Sequence, residues 1–392
     1  MTIINDTDRQ TPADADRFVP LAREIGRRSA ATADRHDRDG TFVVEAYDAM
    51  RDLGYLALAV PVELGGAGAS LLQVCYAQAE LARYDGSTAL AVTMHLYNSF
   101  VLRARARAGA PDAEAALRRI AEGSLIVTTS GGSDWLWPTT VATETDGGYR
   151  ISGRKTFNSQ APVGDVMTTS AVIGEPGRGA EVIHFSLPMR GDGIRIVETW
   201  DTLGMRGTAS HDVVIDDVFV PAERVVDRRP WGALGKGMHA ALAYFAPIGA
   251  AVYWGIAAGA RDDVVQELMR STRGTERATS SPLVARQVGL MDARLRVAWW
   301  SLRGALDDLG DPLQPGPETL TTLAIAKREC VTAAREVVDV AMELAGGRSY
   351  YRSSPLERRF RDVRAGTFHP LPPEATLVYA GKLALGGDLS VA

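Results

Sequence analysis

Six histidines (positions 36, 95, 184, 211, 239 and 369) and two cysteines (Cys75 and Cys330) carry the most direct claim to metal, nucleophilic or acid–base chemistry in this chain of 392 residues. Their spacing withholds most of it. No two histidines stand at a metal-ligand spacing, and the cysteines are too scattered for a zinc site or a disulfide framework. No serine occupies a nucleophile elbow. Gly66-Ala-Gly68 lies in a glycine-rich loop that does not follow a strand of a βαβ unit, and Gly232-Ala-Leu-Gly235-Lys236-Gly237 lacks the spacing of a phosphate-binding P-loop. Without locally assembled polar machinery, the hard chemistry falls to a bound cofactor.

One segment suits such a cofactor. In Lys155-Thr-Phe157-Asn-Ser159 an aromatic ring and a small hydroxyl stand two residues apart, which on a strand places both on one sheet face. That face fits a flat aromatic group needing one polar anchor. By residue type alone, an ordinary strand with a core phenylalanine is the favoured reading.

Three regions must position these residues. From Asp16 to about Gly123 apolar residues recur at helical spacing, as in Phe18-Leu21-Ile25 and Ala46-Met50-Leu53. A break at Pro61-Val-Glu-Leu-Gly65-Gly66-Ala-Gly68 precedes a further helix through Leu72, Cys75, Ala79 and Ala82. From Ser124 to about Val226 the pattern turns to short β-rich runs, with Asp146-Gly147-Gly148 as a hairpin signal, predicting a small barrel or sandwich. From Pro230 onward it is helical again. Ser281-Pro282 opens one long helix, with proline at the favoured first position. A second carries Leu323, Ala326, Cys330, Ala334, Val337, Ala341 and Leu344 on one stripe and stops at Gly346-Gly347. The expectation is a mainly α protein with a central β domain: an N-terminal helical domain (1–123), the β domain (124–229) and a C-terminal helical bundle (230–392).

Composition excludes several classes. Hydrophobic residues at 46% and charged residues at 23% are the balance of a soluble globular protein, not a disordered or collagenous one. A net charge of -5 and a pI near 5.8 offer no basic surface for nucleic acid or anionic lipid. The N-terminal stretch lacks the layout of a secretion signal, and with so few cysteines a cytoplasmic location is expected. Gly237 to Ala260 has no Asp, Glu, Lys or Arg and is long enough to cross a bilayer, for which roughly 20 apolar residues suffice. It is rich in Ala and Gly and holds His239 and Pro247, so it is read as a buried helix of a multi-helix core and not as a membrane span.

Four stretches in this order resemble the acyl-CoA dehydrogenase superfamily over nearly the full length. They are LGYLALAVPVELGGAGAS (from Leu53), TTSGGSDW (from Thr128), TLGMRGTASHDVVIDDVFVP (from Thr202) and GGRSYYRSSPLERRFRDVRAG (from Gly346). The third is the most specific. The resemblance implies an N-terminal helical domain, a β-barrel or sandwich and a C-terminal four-helix bundle, with a flavin between the β domain and the bundle. It assigns Phe157 to the flavin ring, Ser159 to flavin N5, and Thr128 and Thr129 to the pyrimidine edge. Gly346 and Gly347 would let backbone approach the cofactor, often that of a neighbouring subunit in a homotetramer; by residue type alone they are a helix C-cap.

The sequence departs from that family where a dehydrogenase needs its base. Members of the family abstract a proton with a glutamate, because a carbanion-like transition state requires a positioned acceptor. Here the segment after the Arg-Asp motif reads Thr367-Phe-His369-Pro-Leu-Pro-Pro-Glu374, with Glu374 too late. The alternative position on the first bundle helix reads Ala-Leu-Ala-Tyr244-Phe245-Ala-Pro247, with no acid. The string Arg361-Asp-Val-Arg364-Ala-Gly-Thr367-Phe-His369 instead resembles the reduced-flavin-dependent monooxygenases of this fold, such as the dibenzothiophene and hydroxyphenylacetate oxygenases, and the amino-sugar nitrososynthases are related to these. That resemblance places His369 at the flavin, where an imidazole suits deprotonation of a substrate or hydrogen bonding to activated oxygen. His95 falls where related oxygenases carry a second polar pocket residue. The contact to an FAD diphosphate is not recognisable between Met269 and Gly289, with Arg273 or Arg277 as substitutes, so FAD and FMN both remain open.

The leading expectation is therefore a two-component monooxygenase that receives reduced flavin from a partner reductase and hydroxylates or N-oxygenates a small molecule. The alternatives are an acyl-CoA dehydrogenase with a displaced base, and a flavin-binding protein without turnover. What fills the cavity beside His369, and whether it contains a carboxylate, separates them.

Overall fold

A computed structural model describes residues 14–177, 179–273 and 276–389. The N-terminal helices are α1 (Val19–Asp39), α2 (Val44–Asp52), α3 (Leu71–Tyr84), α4 (Gly86–Arg107) and α5 (Pro111–Ala121). Local sequence sets their ends. Gly40, left-handed at φ 66°, closes α1. Ser70 and Gln73 form a reciprocal capping box on α3, and Asp85 accepts from the first N–H groups of α4.

Strands β1 (Val127–Thr129), β2 (Val141–Thr145), β3 (Gly148–Asn158), β4 (Val166–Ile173), β5 (Glu181–Pro188), β6 (Ile194–Val197), β7 (His211–Pro221) and β8 (Asp227–Pro230) follow. Asp146 and Gly147 make the turn between β2 and β3, which pair from Thr145–Gly148 to Val141–Ser152. The strands form one sheet in the order β6-β7-β3-β2-β4-β5-β8, with β1 pairing beside β4. Sequence spacing leaves barrel and sandwich open; hydrogen bonding joins the strands into one sheet whose main path runs from β6 to β8.

The C-terminal helices are α6 (Lys236–Arg270), α7 (Pro282–Leu309), α8 (Pro317–Ala345), α9 (Pro355–Val363) and α10 (Pro373–Ala384), and α7 to α10 each begin with proline. Helix α6 contains the apolar Gly237 to Ala260 stretch. It is the one described helix apolar and long enough for a membrane, and its apolar residues are buried against α3, α4, α7 and α8. Gly255 permits this approach, because a Cβ there would lie 2.2 Å from the Ala79 carbonyl oxygen.

One apolar core runs from Phe18 through α6 to Val363, so both helical regions share it, while the sheet packs its own cluster around Ile151, Phe185 and Ile215. The cavity described next is lined by residues of the shared helical core and by residues at the ends of the sheet's strands.

Candidate active site

Three parts of the fold close around a cavity of about 620 Å³. The sheet and the loops at its strand ends contribute Thr129 to Gly132, Phe157, Ser159 and Ser210; the loop before β7 also contributes Trp200 and Thr202 to Met205. Helices α4 and α6 supply Met94, Tyr97, Met238 and Phe245, and the segment after α9 supplies Arg364, Phe368, His369 and Leu371. The size and the mostly apolar lining suit a small organic molecule or cofactor, which typically occupies roughly 300–1,000 Å³.

Phe157 and Ser159 both reach the cavity, but not by strand alternation. The register of β3 against β7 shifts between Lys155 and Asn158, and Phe157 sits at φ 56°. This bulge turns the Phe157 ring outward, half exposed and edge-on to Trp200 at 5.9 Å. Gly132, at φ 68°, fits the loop against that ring; a Cβ there would lie 3.1 Å from Phe157 Cδ2. Ser159 is already past the strand, and its Oγ is 2.8 Å from Ser210 Oγ, which is 2.7 Å from Thr208 Oγ1. An exposed ring beside a short hydroxyl chain matches what a flavin requires of its site: a flat apolar neighbour and a polar anchor.

The two threonines separate. Thr129 lines the cavity, with its hydroxyl within hydrogen-bond distance of the Ser130 and Thr168 carbonyls. Thr128 is not among the lining residues: it is buried behind them and donates to the Ser159 carbonyl at 2.7 Å. It fixes the backbone that carries Ser159.

His369 lines the cavity in the turn before α10. Its Nδ1 lies 2.8 Å from the Tyr253 hydroxyl, and Phe245 meets its ring edge-on at 5.6 Å. Burial pulls its pKa down to about 3, with the Lys327 ammonium adding to the shift, so the ring is neutral. Lys327 donates to the carbonyls of His369 at 3.2 Å and Leu371 at 2.9 Å, tying the turn to α8.

His95 does not reach the cavity. It is fully buried on α4, with Nε2 2.9 Å from the Leu56 carbonyl and Nδ1 accepting from the Val127 N–H at 3.1 Å. Burial lowers its pKa to about 4. The expected pocket histidine is instead a strut between α4 and β1, because both ring nitrogens are consumed by backbone. Gly346 and Gly347 are exposed just past α8, outside the cavity lining, with open space around them. Arg277 is also exposed and outside the lining, and the Arg273 side chain lies outside the described part of the structure.

No aspartate or glutamate lines the cavity among the described residues. Glu374 is exposed on α10, and the alternative base position holds Tyr244, stacked on Phe100, and Phe245. The cavity's arginines are both engaged, Arg361 with Asp37 and Glu357, and Arg364 with Asp339. Sequence reading passed over Tyr253 and Lys327. The apolar run around Tyr253 carries no signal of its role, but a lysine between Leu323, Ala326 and Cys330 on one helix stripe is a buried cation in need of acceptors.

Comparison with known proteins fits this geometry. Models of the acyl-CoA dehydrogenase N-terminal, middle and C-terminal domains match residues 12–123, 127–218 and 248–371. L-evernosamine nitrososynthase of a Micromonospora species is 35% identical over 96% of this chain and 92% of its own length. The putative acyl-CoA dehydrogenase YdbM of Bacillus subtilis is 31% identical over 96% of both chains. A solved structure of KijD3 in complex with FMN and dTDP-3-amino-2,3,6-trideoxy-4-keto-3-methyl-D-glucose superposes with a TM-score of 0.86 at 30% identity, covering 98% of this chain and 96% of that one. By fold, by all three domain matches and by full-length similarity, the chain belongs to the acyl-CoA dehydrogenase family.

Proposed function

We propose that this protein is a flavin-dependent monooxygenase that takes reduced flavin, FMN in the first instance, from a separate reductase and uses dioxygen to hydroxylate or N-oxygenate a small molecule. One observation carries the reading: the cavity presents a neutral histidine and, among its described lining residues, no carboxylate. Oxidation of an acyl thioester needs a proton acceptor at the substrate carbon, and both places where this fold supplies one hold other residues. The similarity to a nitrososynthase and to an FMN-bound structure with an amino-sugar nucleotide supports the oxygenase branch and keeps an amino sugar as the first substrate class to test.

When bound, a reduced flavin supplies the electrons that activate dioxygen. The chain's own residues do the rest. Phe157 and Trp200 would wall the ring system, while Ser159, held by Ser210 and Thr128, anchors its edge. Apolar residues of α4 and α6 exclude water, which protects a reactive site from unproductive hydrolysis. His369, from the segment after α9, supplies a further polar group to the lining. We further read the protein as a cytoplasmic homotetramer, with the exposed Gly346 and Gly347 facing a neighbouring subunit.

The test has two arms. Anaerobic mixing of the FMN-loaded protein with a series of acyl-CoAs should leave the oxidised flavin spectrum unchanged; bleaching would sink the oxygenase reading. Supplying reduced FMN and oxygen with amino-sugar nucleotides should give a product heavier by one or more oxygen atoms.

A further inference from the structure

Tyr253, on α6, is fully buried, and among the described residues its hydroxyl has one hydrogen-bond partner, His369 Nδ1 at 2.8 Å. Two arrangements satisfy that distance. In one, Nδ1–H donates to the phenol oxygen. The Tyr253 O–H is then a buried donor without an acceptor, and such a group costs more than an ordinary hydrogen bond contributes. In the other, Tyr253 donates to a bare Nδ1. The Tyr253 hydroxyl and Nδ1 then satisfy one another, and the single proton of the neutral ring lies on Nε2.

The charged alternatives are closed by the surroundings. An imidazolium would carry N–H on both nitrogens and strand the tyrosine proton again. It would also face the Lys327 ammonium, which is held on the carbonyls of His369 and Leu371 in the same turn. A tyrosinate is closed too, since burial raises the Tyr253 hydroxyl well above its usual range. The Phe245 and Tyr253 rings, 5.6 and 5.7 Å from the imidazole, fix its plane.

We infer that Tyr253 is a positioning residue that locks His369 in its Nε2–H form, so that the imidazole offers the cavity a hydrogen-bond donor and not a base. What that donor acts on rests on the monooxygenase reading; the tautomer does not. A donor at this wall is suited to a developing negative charge on oxygen, the role neutral imidazoles fill where imidazolium is suppressed. It also means that a proton removed from substrate must leave by another route.

The experiment is histidine-selective 15N labelling of the whole protein, read by long-range 1H–15N correlation between about pH 6 and 8. His369→Gln identifies the His369 signals. The expected pattern is a protonated Nε2 and an unprotonated Nδ1, constant across the range. A protonated Nδ1 in the wild-type protein overturns the inference, whatever the variants do. Tyr253→Phe removes the donor and should raise the Nδ1–H population roughly tenfold or more; an unchanged tautomer in that variant also overturns it. Should Tyr253→Phe not fold, the wild-type spectrum still decides. The measurement uses neither flavin nor substrate, so failure of the oxygenase reading, seen as bleaching by an acyl-CoA, stays distinguishable.

Discussion

Asp37 and Arg361 meet face to face: Arg361 Nη1 donates to Asp37 Oδ1 at 2.8 Å, and Nη2 donates to Oδ2 at 2.5 Å. The pair joins α1, at the start of the described chain, to α9, which leads into the His369 turn. Glu357 supports the same guanidinium at 2.7 and 2.8 Å. Burial alone would depress Arg361, but the hydrogen bonds it donates to Asp37 and Glu357 outweigh it and raise its pKa. Because Arg361 also lines the cavity, the ion pair couples the N-terminal helices to the site wall.

Asp37→Ala should therefore lower unfolding stability by about 2–4 kcal/mol, since it strands one side of a buried charge while Glu357 holds the other. Urea denaturation measures it. The exposed Arg28–Glu24 pair on the same helix is the control, where Arg28→Ala should cost less than about 0.5 kcal/mol. Equal losses in the two variants would remove the coupling role.

Acid should destabilise the protein steeply. Burial holds His95 at about 4 and His184 and His369 at about 3. Unfolded histidines titrate near ~6.5. In the window below that value the unfolded chain binds protons that the folded chain refuses, so stability falls as pH drops. Asp362 acts with the opposite sign: burial raises it to about 6, and the folded state keeps a proton that the unfolded state releases. For these four groups the balance near about pH 5 is roughly two protons taken up on unfolding, on the order of 2–3 kcal/mol per pH unit. Urea midpoints at about pH 7 and 5 test this; equal midpoints would contradict neutral burial of these histidines. His95→Gln should remove about one proton from the slope.

Much of the architecture was legible because helix and strand periods differ and proline and glycine punctuate both. Asp146-Gly147, Ser281-Pro282 and Gly346 mark turns or ends where the structure has them. The site was legible only in part. Alternation along a strand would place Phe157 and Ser159 on one face, whereas a bulge with Phe157 at φ 56° is what brings both to the cavity. The surroundings of His95 are not legible in the sequence because its partners, the Leu56 carbonyl and the Val127 N–H, are backbone groups from distant segments. Tyr253 was hidden for a similar reason: within an apolar helix, only tertiary packing says that its hydroxyl meets an imidazole.

The turn under the cavity should depend on one lysine. Lys155 is fully buried, and its Nζ lies 2.9 Å from Asp134 Oδ2, in the Gly132–Trp135 turn that follows the cavity-lining strand. Lys155→Met removes the ammonium hydrogen-bonded to Asp134 and should cost about 3 kcal/mol of stability. It should also weaken FMN binding several-fold by loosening Gly131 and Gly132 against Phe157. Adding Asp134→Asn should recover part of both losses, a coupling that a double-mutant cycle reads directly. Strict additivity would show that the two residues act independently.

His369 itself distinguishes a donor from a base. If the imidazole acts through Nε2–H, His369→Ala should slow oxygenation by roughly 10²–10³-fold, the usual effect of deleting one preorganised donor. The FMN dissociation constant should change far less, because Phe157, Trp200 and Ser159 remain in place. Gln keeps an N–H donor but lacks a basic nitrogen, so His369→Gln should recover a measurable part of the rate lost in the alanine variant. A base would give the reverse: glutamine as poor as alanine. With burial holding His369 at about 3, the wild-type rate should show no inflection from this group through the neutral range. Rates measured with pre-reduced FMN, so that reductase turnover does not limit them, decide between the two roles. An unchanged rate in His369→Ala would place the residue outside the mechanism altogether.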